Sequence, residues 1–345
     1  MHPGTLSQEE GWRKALSSVE VLRRLQQQIA RVHSSPLPLL EIVTAPLQPP
    51  NTGPTLLLPG AFNPLTLAHL ALAESAMQVS NSSALYFILS TATINKEQTE
   101  HASLLDRLLL LDLVAQRLRF LGVLVTNRGL YVEQAEAAHT SFQGVNDLRF
   151  VVGFDKIAQI FDPRYYTDKE AALKRLFALA QLLVAPRGSH KASDVVTLMQ
   201  QPENQPFQSA VHLLPLPTEV RNISSSEIRA AFEQKPAADV AATLRSWLPP
   251  EVALFCEETG CYLAPLVLPN GETVDQYTLR CALIDRALEL PEKEQQQLRL
   301  RALFQLAVSN TPQGQSSRDW LNSPEAGRSP ENLLRFQRDL PAAFS

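Results

Sequence analysis

The chain has 345 residues, 45% hydrophobic and 19% charged, which is ordinary for a protein that buries a core and excludes wholesale disorder; the length allows one large domain with extensions or two smaller ones. A net charge of −4 provides no basic stripe, so a nucleic-acid partner is not expected. The three cysteines, Cys256, Cys261 and Cys281, are too few and wrongly spaced for a zinc site or a disulfide framework and fit a reducing compartment.

The opening "MHPGTLSQEEGWRK" lacks the apolar core of a signal peptide. No stretch approaches the roughly 18 apolar residues of a spanning helix, and "LLLLDLV" is interrupted by Asp112. A soluble, cytoplasmic protein is expected, with no membrane partner. Val19, Leu22, Leu25, Ile29 and Val32 repeat at helical spacing over 17–33. "SSPLPL" breaks that helix, "LLEIVTAP" reads as a strand, and "LQPPNTGP" is a Pro-rich connector.

From Thr55 the pattern becomes regular. Strand "TLLL", turn "GAFNPL" and helix "LAHLALAESAMQ" are followed by strand "ALYFILS", a loop through "TATINKEQTEH", helix "SLLDRLLLLDLVAQRL" and strand "LGVLVT". Helix "LYVEQAEAAH", strand "LRFVVG" and a short helix from "DKIAQIF" come next. A helix over 168–179, strand "QLLVAP", a helix from about 191 and strand "VHLLPL" continue the alternation, and helices are read at "SSSEIRAAFEQ", "DVAATLRSWL" and "PEVALFCEE". Apolar strands alternating with amphipathic helices predict an α/β fold with a Rossmann-like parallel sheet and helices on both faces. After Leu263, "APLVLPNGETVDQ" reads as loop, "RCALIDRALELPEKEQQQLRLRALFQLAV" as one or two helices, and the chain from "SNTPQGQSS" onward as polar and turn-rich, with "NSPEAGRSPEN" flexible.

Two segments carry chemistry. In "PGAFNPLTLAH", residues 59–69, a strand delivers Gly60, Asn63 and Pro64 shape a turn, and a helix starts near Thr66. Backbone N–H groups and a helix N-terminus are thereby directed at an anion. Thr66 and His69, three apart, share a face of the first turn, and His69 meets phosphate charge either as a cation or as a neutral donor. The plain alternative is an ordinary strand–helix turn with His69 packed locally. In "RNISSSEIRAAF", residues 221–232, Ser224, Ser225 and Ser226 precede a helix and Glu227 stands three after Ser224, a capping-box spacing. These hydroxyls, with Arg229 one turn on, serve either as a helix cap or as a polyphosphate cradle.

Taken together, "GAFNPLTLAH" and "ISSSEIR" resemble the "GxFxPxHxGH" and "ISSTxIR" signatures of the adenylyltransferase branch of the nucleotidyltransferase superfamily, in the right order and about one Rossmann-like domain apart. The resemblance covers roughly residues 55–263 and is closest to nicotinamide- and nicotinate-mononucleotide adenylyltransferases. The "FNP" and "ISSS" forms favour these over pantetheine-phosphate adenylyltransferase, which shares Thr in place of the first His. The resemblance implies a nucleotidyltransferase domain over 51–263, with an N-terminal helical extension over 1–50 and a C-terminal helical and partly flexible extension over 264–345. It makes His69, Thr66 and Lys96 (in "INK") catalytic. It assigns Gly60, Ala61, Phe62, His69, Ser224, Ser225, Ser226 and Arg229 to ATP, and Asn63, Lys96, Asp155 (in "VVGFD") and Arg187 (in "LLVAPRG") to the second substrate. On their own terms, Asp155 is equally a helix cap, Lys96 a solvated charge, and Arg107 in its apolar helix the ion-pair partner of a carboxylate. Two departures stand out: Thr66 cannot carry charge, and Ala68 adds a methyl where the family has glycine.

The implied reaction is attack of a substrate phosphate on the α-phosphorus of ATP, with Mg²⁺ held by triphosphate oxygens and water rather than by protein ligands. The partners are ATP and a small phosphorylated substrate, and a homo-oligomer is possible. Competing readings are a transferase for another acceptor, an ATP hydrolase, and a non-catalytic nucleotide-binding module.

Overall fold

The computed structural model describes residues 3–47, 53–92, 101–142, 147–186, 188, 190–217, 223–233, 237–323 and 329–344. Helices α1 (Pro3–Leu16) and α2 (Val19–Ser34) lead into strand β1 (Leu40–Thr44). The alternating region comprises β2 (Thr55–Pro59), α3 (Leu67–Ser80), β3 (Leu85–Ser90), α4 (Leu104–Arg117), β4 (Leu121–Thr126), α5 (Tyr131–Ser141), β5 (Leu148–Gly153), α6 (Phe154–Ile160), α7 (Lys169–Leu179), β6 (Gln181–Ala185), α8 (Ala192–Met199) and β7 (Val211–Leu213). It is followed by α9 (Ser225–Phe232), α10 (Ala237–Trp247) and α11 (Pro250–Thr259), the short hairpin β8 (Leu266–Val267) and β9 (Thr273–Val274), and helices α12 (Gln276–Glu289), α13 (Glu292–Gln295), α14 (Leu300–Ala307), α15 (Pro312–Leu321) and α16 (Asn332–Arg338).

The strands form one sheet in the order β1-β4-β3-β2-β5-β6-β7. All pairings from β4 to β7 are parallel, and β1 joins β4 antiparallel as an edge strand. The chain therefore reverses its direction of travel across the sheet at β2 and β5, and ligands of such sheets bind beyond the carboxyl ends of the strands at that point. The near-continuous apolar runs read from the sequence have a direct cause: successive residues point to opposite faces, and both faces are covered. Leu56, Leu58, Phe87, Leu89 and Val123 pack into one core with α2, α3, α4 and α9–α12. Leu57, Tyr86, Ile88, Leu124 and Phe150 pack into a second core with α5–α8.

Both chain ends join the first of these cores, through Trp12 and Leu16 of α1 and Trp320 and Phe336 of α15 and α16. Asp112, the polar break in "LLLLDLV", is buried; Arg24 of α2 meets it at 2.7 Å and the Thr44 hydroxyl of β1 donates to it. A buried carboxylate paired in this way ties the N-terminal segment to the sheet's helical cover.

The structure departs from the periodicity in several places, among them the stretch read as one or two helices, which forms α12, α13 and α14, and the turn-rich end of the chain, which forms α16. Helix α1 forms from a mostly polar stretch, and the 264–275 stretch read as loop contains the β8–β9 hairpin. "PQGQSSRDWL" is helix α15, where a turn-rich segment is expected. Its polar composition hides two buried anchors, Trp320 and Leu321, and Thr311 caps it by accepting from the Gly314 N–H at 3.0 Å; tertiary packing here overrides a weak local signal. Of the stretch expected to be flexible, 324–328 lie outside the described residues. No helix among the described residues is long and apolar enough to cross a membrane.

Candidate active site

The turn after β2 lies at the switch point. Gly60 N–H donates to Ile88 O at 3.1 Å, which keeps the chain in the sheet for one more residue. Phe62 then takes a left-handed conformation, φ 47°, and is buried against Phe87 and His69, with ring centroids 4.9 and 5.3 Å away. A Cβ on Gly60 would lie 2.8 Å from the Phe62 ring, so glycine is required by close packing rather than by its own dihedrals. The peptide between Asn63 and Pro64 is cis, and the chain re-enters helix α3 with Thr66 as its N-cap.

His69 stands at the third helical position, and its Nδ1 accepts the Thr66 backbone N–H at 3.1 Å. An amide N–H can only donate, so in this contact Nδ1 is the acceptor. The Thr66 hydroxyl is also 2.8 Å from Nδ1. Thr66 is fully buried, with its hydroxyl beside the His69 ring. Ala68 is also buried, so its methyl is already covered by the protein.

The second motif folds against the first. Ser224 caps α9: its Oγ accepts the Glu227 N–H at 3.1 Å and donates to the Glu227 carboxylate at 2.7 Å. Ser225 Oγ donates to Pro64 O at 2.9 Å. Arg229 Nη1 donates to Asn63 O at 2.6 Å, and its Nη2 lies 3.4 Å from Ser226 Oγ. These hydroxyls organise the start of α9, whose N-terminus carries a partial positive field. The Glu227 carboxylate in the same first turn offsets part of that positive field.

Two further side chains complete the clamp, and neither is placed there by the sequence motifs. Arg107 is buried and donates from Nη1 to Ala61 O at 2.8 Å. Among the described residues no carboxylate pairs with it, contrary to the ion pair expected from its helix; burial pushes its guanidinium pKa down. Its Nε is buried without a hydrogen-bond partner. Tyr262, just after α11, donates to Asn63 Oδ1 at 2.7 Å, and burial raises its phenol pKa, which keeps it a donor. The carbonyls of Ala61, Asn63 and Pro64 are thus all engaged by side chains from α4 and α9. "EETGCYL" carries no motif, so only its contact across the fold reveals Tyr262.

Asp155 lies apart from this clamp, at the carboxyl end of the neighbouring β5, and is mostly exposed. His190, which the sequence does not single out, stacks on Phe154 with centroids 4.2 Å apart. Its ring nitrogens lie 3.6 Å from Asp155 and 3.7 Å from Asp194. These side chains form a second polar and aromatic cluster beyond the ends of β5 and β6. Lys96 and Arg187 lie outside the described residues. Among the described residues no cluster of three or more His, Cys, Asp or Glu side chains has the spacing of a metal cage.

Solved structures similar to the chain include the Plasmodium falciparum nicotinic acid mononucleotide adenylyltransferase complexed with NaAD, at 15% identity, covering 61% of this chain and 98% of that one with a TM-score of 0.43. The same enzyme complexed with APC aligns at 15% identity over 61% and 98% with a TM-score of 0.38. No curated protein matches the chain. The cytidylyltransferase-like family model matches residues 57–231, about half of the chain, and that span holds both clamped motifs. The chain belongs to the cytidylyltransferase-like family of nucleotidyltransferases.

Proposed function

We propose that this nucleotidyltransferase moves AMP from ATP to nicotinamide or nicotinate mononucleotide with release of pyrophosphate, a step of NAD synthesis. The observation that carries the reading is the clamp: with the carbonyls of Ala61, Asn63 and Pro64 taken up by Arg107, Arg229 and Ser225, the turn's acceptors are engaged by the protein. The start of α3, with His69 in its first turn, is the part of the turn that meets phosphate charge in this reading. A phosphate oxygen of the acceptor forms a bond to the α-phosphorus, the bond from that phosphorus to the α–β bridging oxygen breaks, and pyrophosphate leaves with the electron pair. The nucleophile is already ionised at neutral pH, so no general base is needed, and rate comes from positioning and charge stabilisation.

In this scheme His69 and Thr66 serve the α- and β-phosphates. The start of α9 with Arg229 serves the β- and γ-phosphates. Gly60, Ala61 and Phe62 shape the ATP side, while Asn63, Asp155, Lys96 and Arg187 serve the acceptor. Mg²⁺ carried in by triphosphate oxygens and water would supply further neutralisation of phosphate charge.

Arg229→Ala is expected to weaken ATP binding by about tenfold or more. It removes a charge-assisted bond to the turn, of a class worth roughly 1.5–3 kcal/mol, together with a cation beside the phosphates. Titration calorimetry with ATP measures it, and an unchanged affinity in a folded variant refutes the cradle. The reaction itself is tested by pyrophosphate release and NAD formation from ATP with a panel of acceptor mononucleotides, and with CTP replacing ATP. Formation of NAD from nicotinamide mononucleotide, or of nicotinate adenine dinucleotide from nicotinate mononucleotide, upholds the proposal. Pyrophosphate release only with another acceptor, phosphate release without any acceptor, or nucleotide binding without turnover each overturns it.

A further inference from the structure

The start of α4 is capped by a side chain from far along the chain. Ser103 is the N-cap, and Asp106 stands three residues on, the spacing of a capping box. Half of that exchange is made locally, since Ser103 Oγ accepts the Asp106 N–H at 3.1 Å. The other half is not. Aspartate is one methylene shorter than the glutamate of such a box, and the Ser103 N–H donates instead to the hydroxyl of Tyr277 in α12, at 2.7 Å. That hydroxyl in turn donates to Asp106 Oδ2 at 2.7 Å. Burial and the Asp106 charge push the phenol pKa up, which preserves the proton this arrangement needs. Arg280, one turn further along α12, holds the same carboxylate at 2.8 Å.

The capped turn carries Arg107. Its backbone N–H donates to Ser103 O at 3.0 Å, and its Nη1 donates to Ala61 O at 2.8 Å. Hydrogen bonds therefore run from the Tyr277 hydroxyl, through the two backbone groups of Ser103, to Arg107 and on to the turn after β2. The guanidinium is buried, and among the described residues it has no carboxylate partner to orient it. Its aim is accordingly set by the helical turn that bears it.

We propose that Tyr277 is a positioning residue for the active site: its hydroxyl, set between the Ser103 N–H and the Asp106 carboxylate, fixes the first turn of α4 and so aims Arg107 at Ala61. A helix well beyond both signature motifs thereby takes part in shaping the nucleotide site. The inference rests on the proposed placing of ATP against the Gly60–Phe62 turn, and it is independent of the acceptor.

Titration calorimetry with ATP on the full chain tests it and needs no turnover. Tyr277→Phe keeps the ring and removes the bridge, and should weaken ATP binding about fivefold, the scale of one neutral hydrogen bond. Arg107→Met should weaken it about tenfold or more. The double variant should bind no worse than Arg107→Met alone, because the hydroxyl acts only through the guanidinium. Arg107→Lys provides a second cycle should Arg107→Met not fold. Ile284→Val, a core truncation on the same helix, controls for lost stability: it should lower the melting temperature and leave ATP affinity unchanged. Parent-like affinity in Tyr277→Phe, losses that add in full in the double variant, or an equal loss in Ile284→Val would each overturn the positioning role while leaving the nucleotide site standing. A parent that binds no ATP would instead overturn the reading on which the role rests, and the role with it.

Discussion

His69→Ala should lower turnover by about 10²-fold or more, the scale of removing one preorganised donor to developing phosphate charge, while ATP affinity changes much less. The prediction rests on position: His69 stands in the first turn of α3, with its Nδ1 accepting the Thr66 N–H at 3.1 Å. Truncation also removes a helix-cap acceptor, at a cost of roughly 0.5–2 kcal/mol in stability, so the two effects need separating. His69→Gln does this, because glutamine at the third helical position restores the capping-box acceptor. Its melting temperature should return close to the parent's while its turnover stays well below. Steady-state kinetics and thermal unfolding on the three proteins check the pair of effects. Parent-like kcat in His69→Ala would remove His69 from the catalytic machinery.

The largest expected effect on stability is at Asp106. This carboxylate is 1% exposed and paired with Arg280, itself buried, at 2.8 Å. It also accepts from Tyr277 at 2.7 Å, and Arg280 continues to Leu16 O at 3.0 Å. One network thus joins α4, α12 and the end of α1. Asp106→Ala strands the Arg280 charge in the interior and should cost about 3–5 kcal/mol, read from the urea midpoint at unchanged slope. Asp106→Leu combined with Arg280→Met should recover most of that loss, because the penalty comes from an unpaired buried charge rather than from the absence of a salt bridge. A loss below about 1 kcal/mol in the single variant would show that water reaches the pair.

Much of this molecule is legible along the chain. Apolar runs alternating with amphipathic helices specify a parallel sheet covered on both faces, because each strand must bury residues to either side. Both signature segments are strand–turn–helix and cap sequences whose local chemistry alone places them at helix starts. What binds those segments to each other was decided only by the tertiary structure. The partners of Ala61, Pro64 and Asn63 lie 46, 161, 166 and 199 residues away along the chain, and periodicity carries no information on pairings at that range. Arg107 illustrates the reason: its charge and its apolar helix predict a carboxylate partner, yet packing of α4 against the turn presents the Ala61 carbonyl instead. Likewise the spacing of Thr66 and His69 puts them on one face, but only the path of the chain into α3 aims the Thr66 N–H at Nδ1.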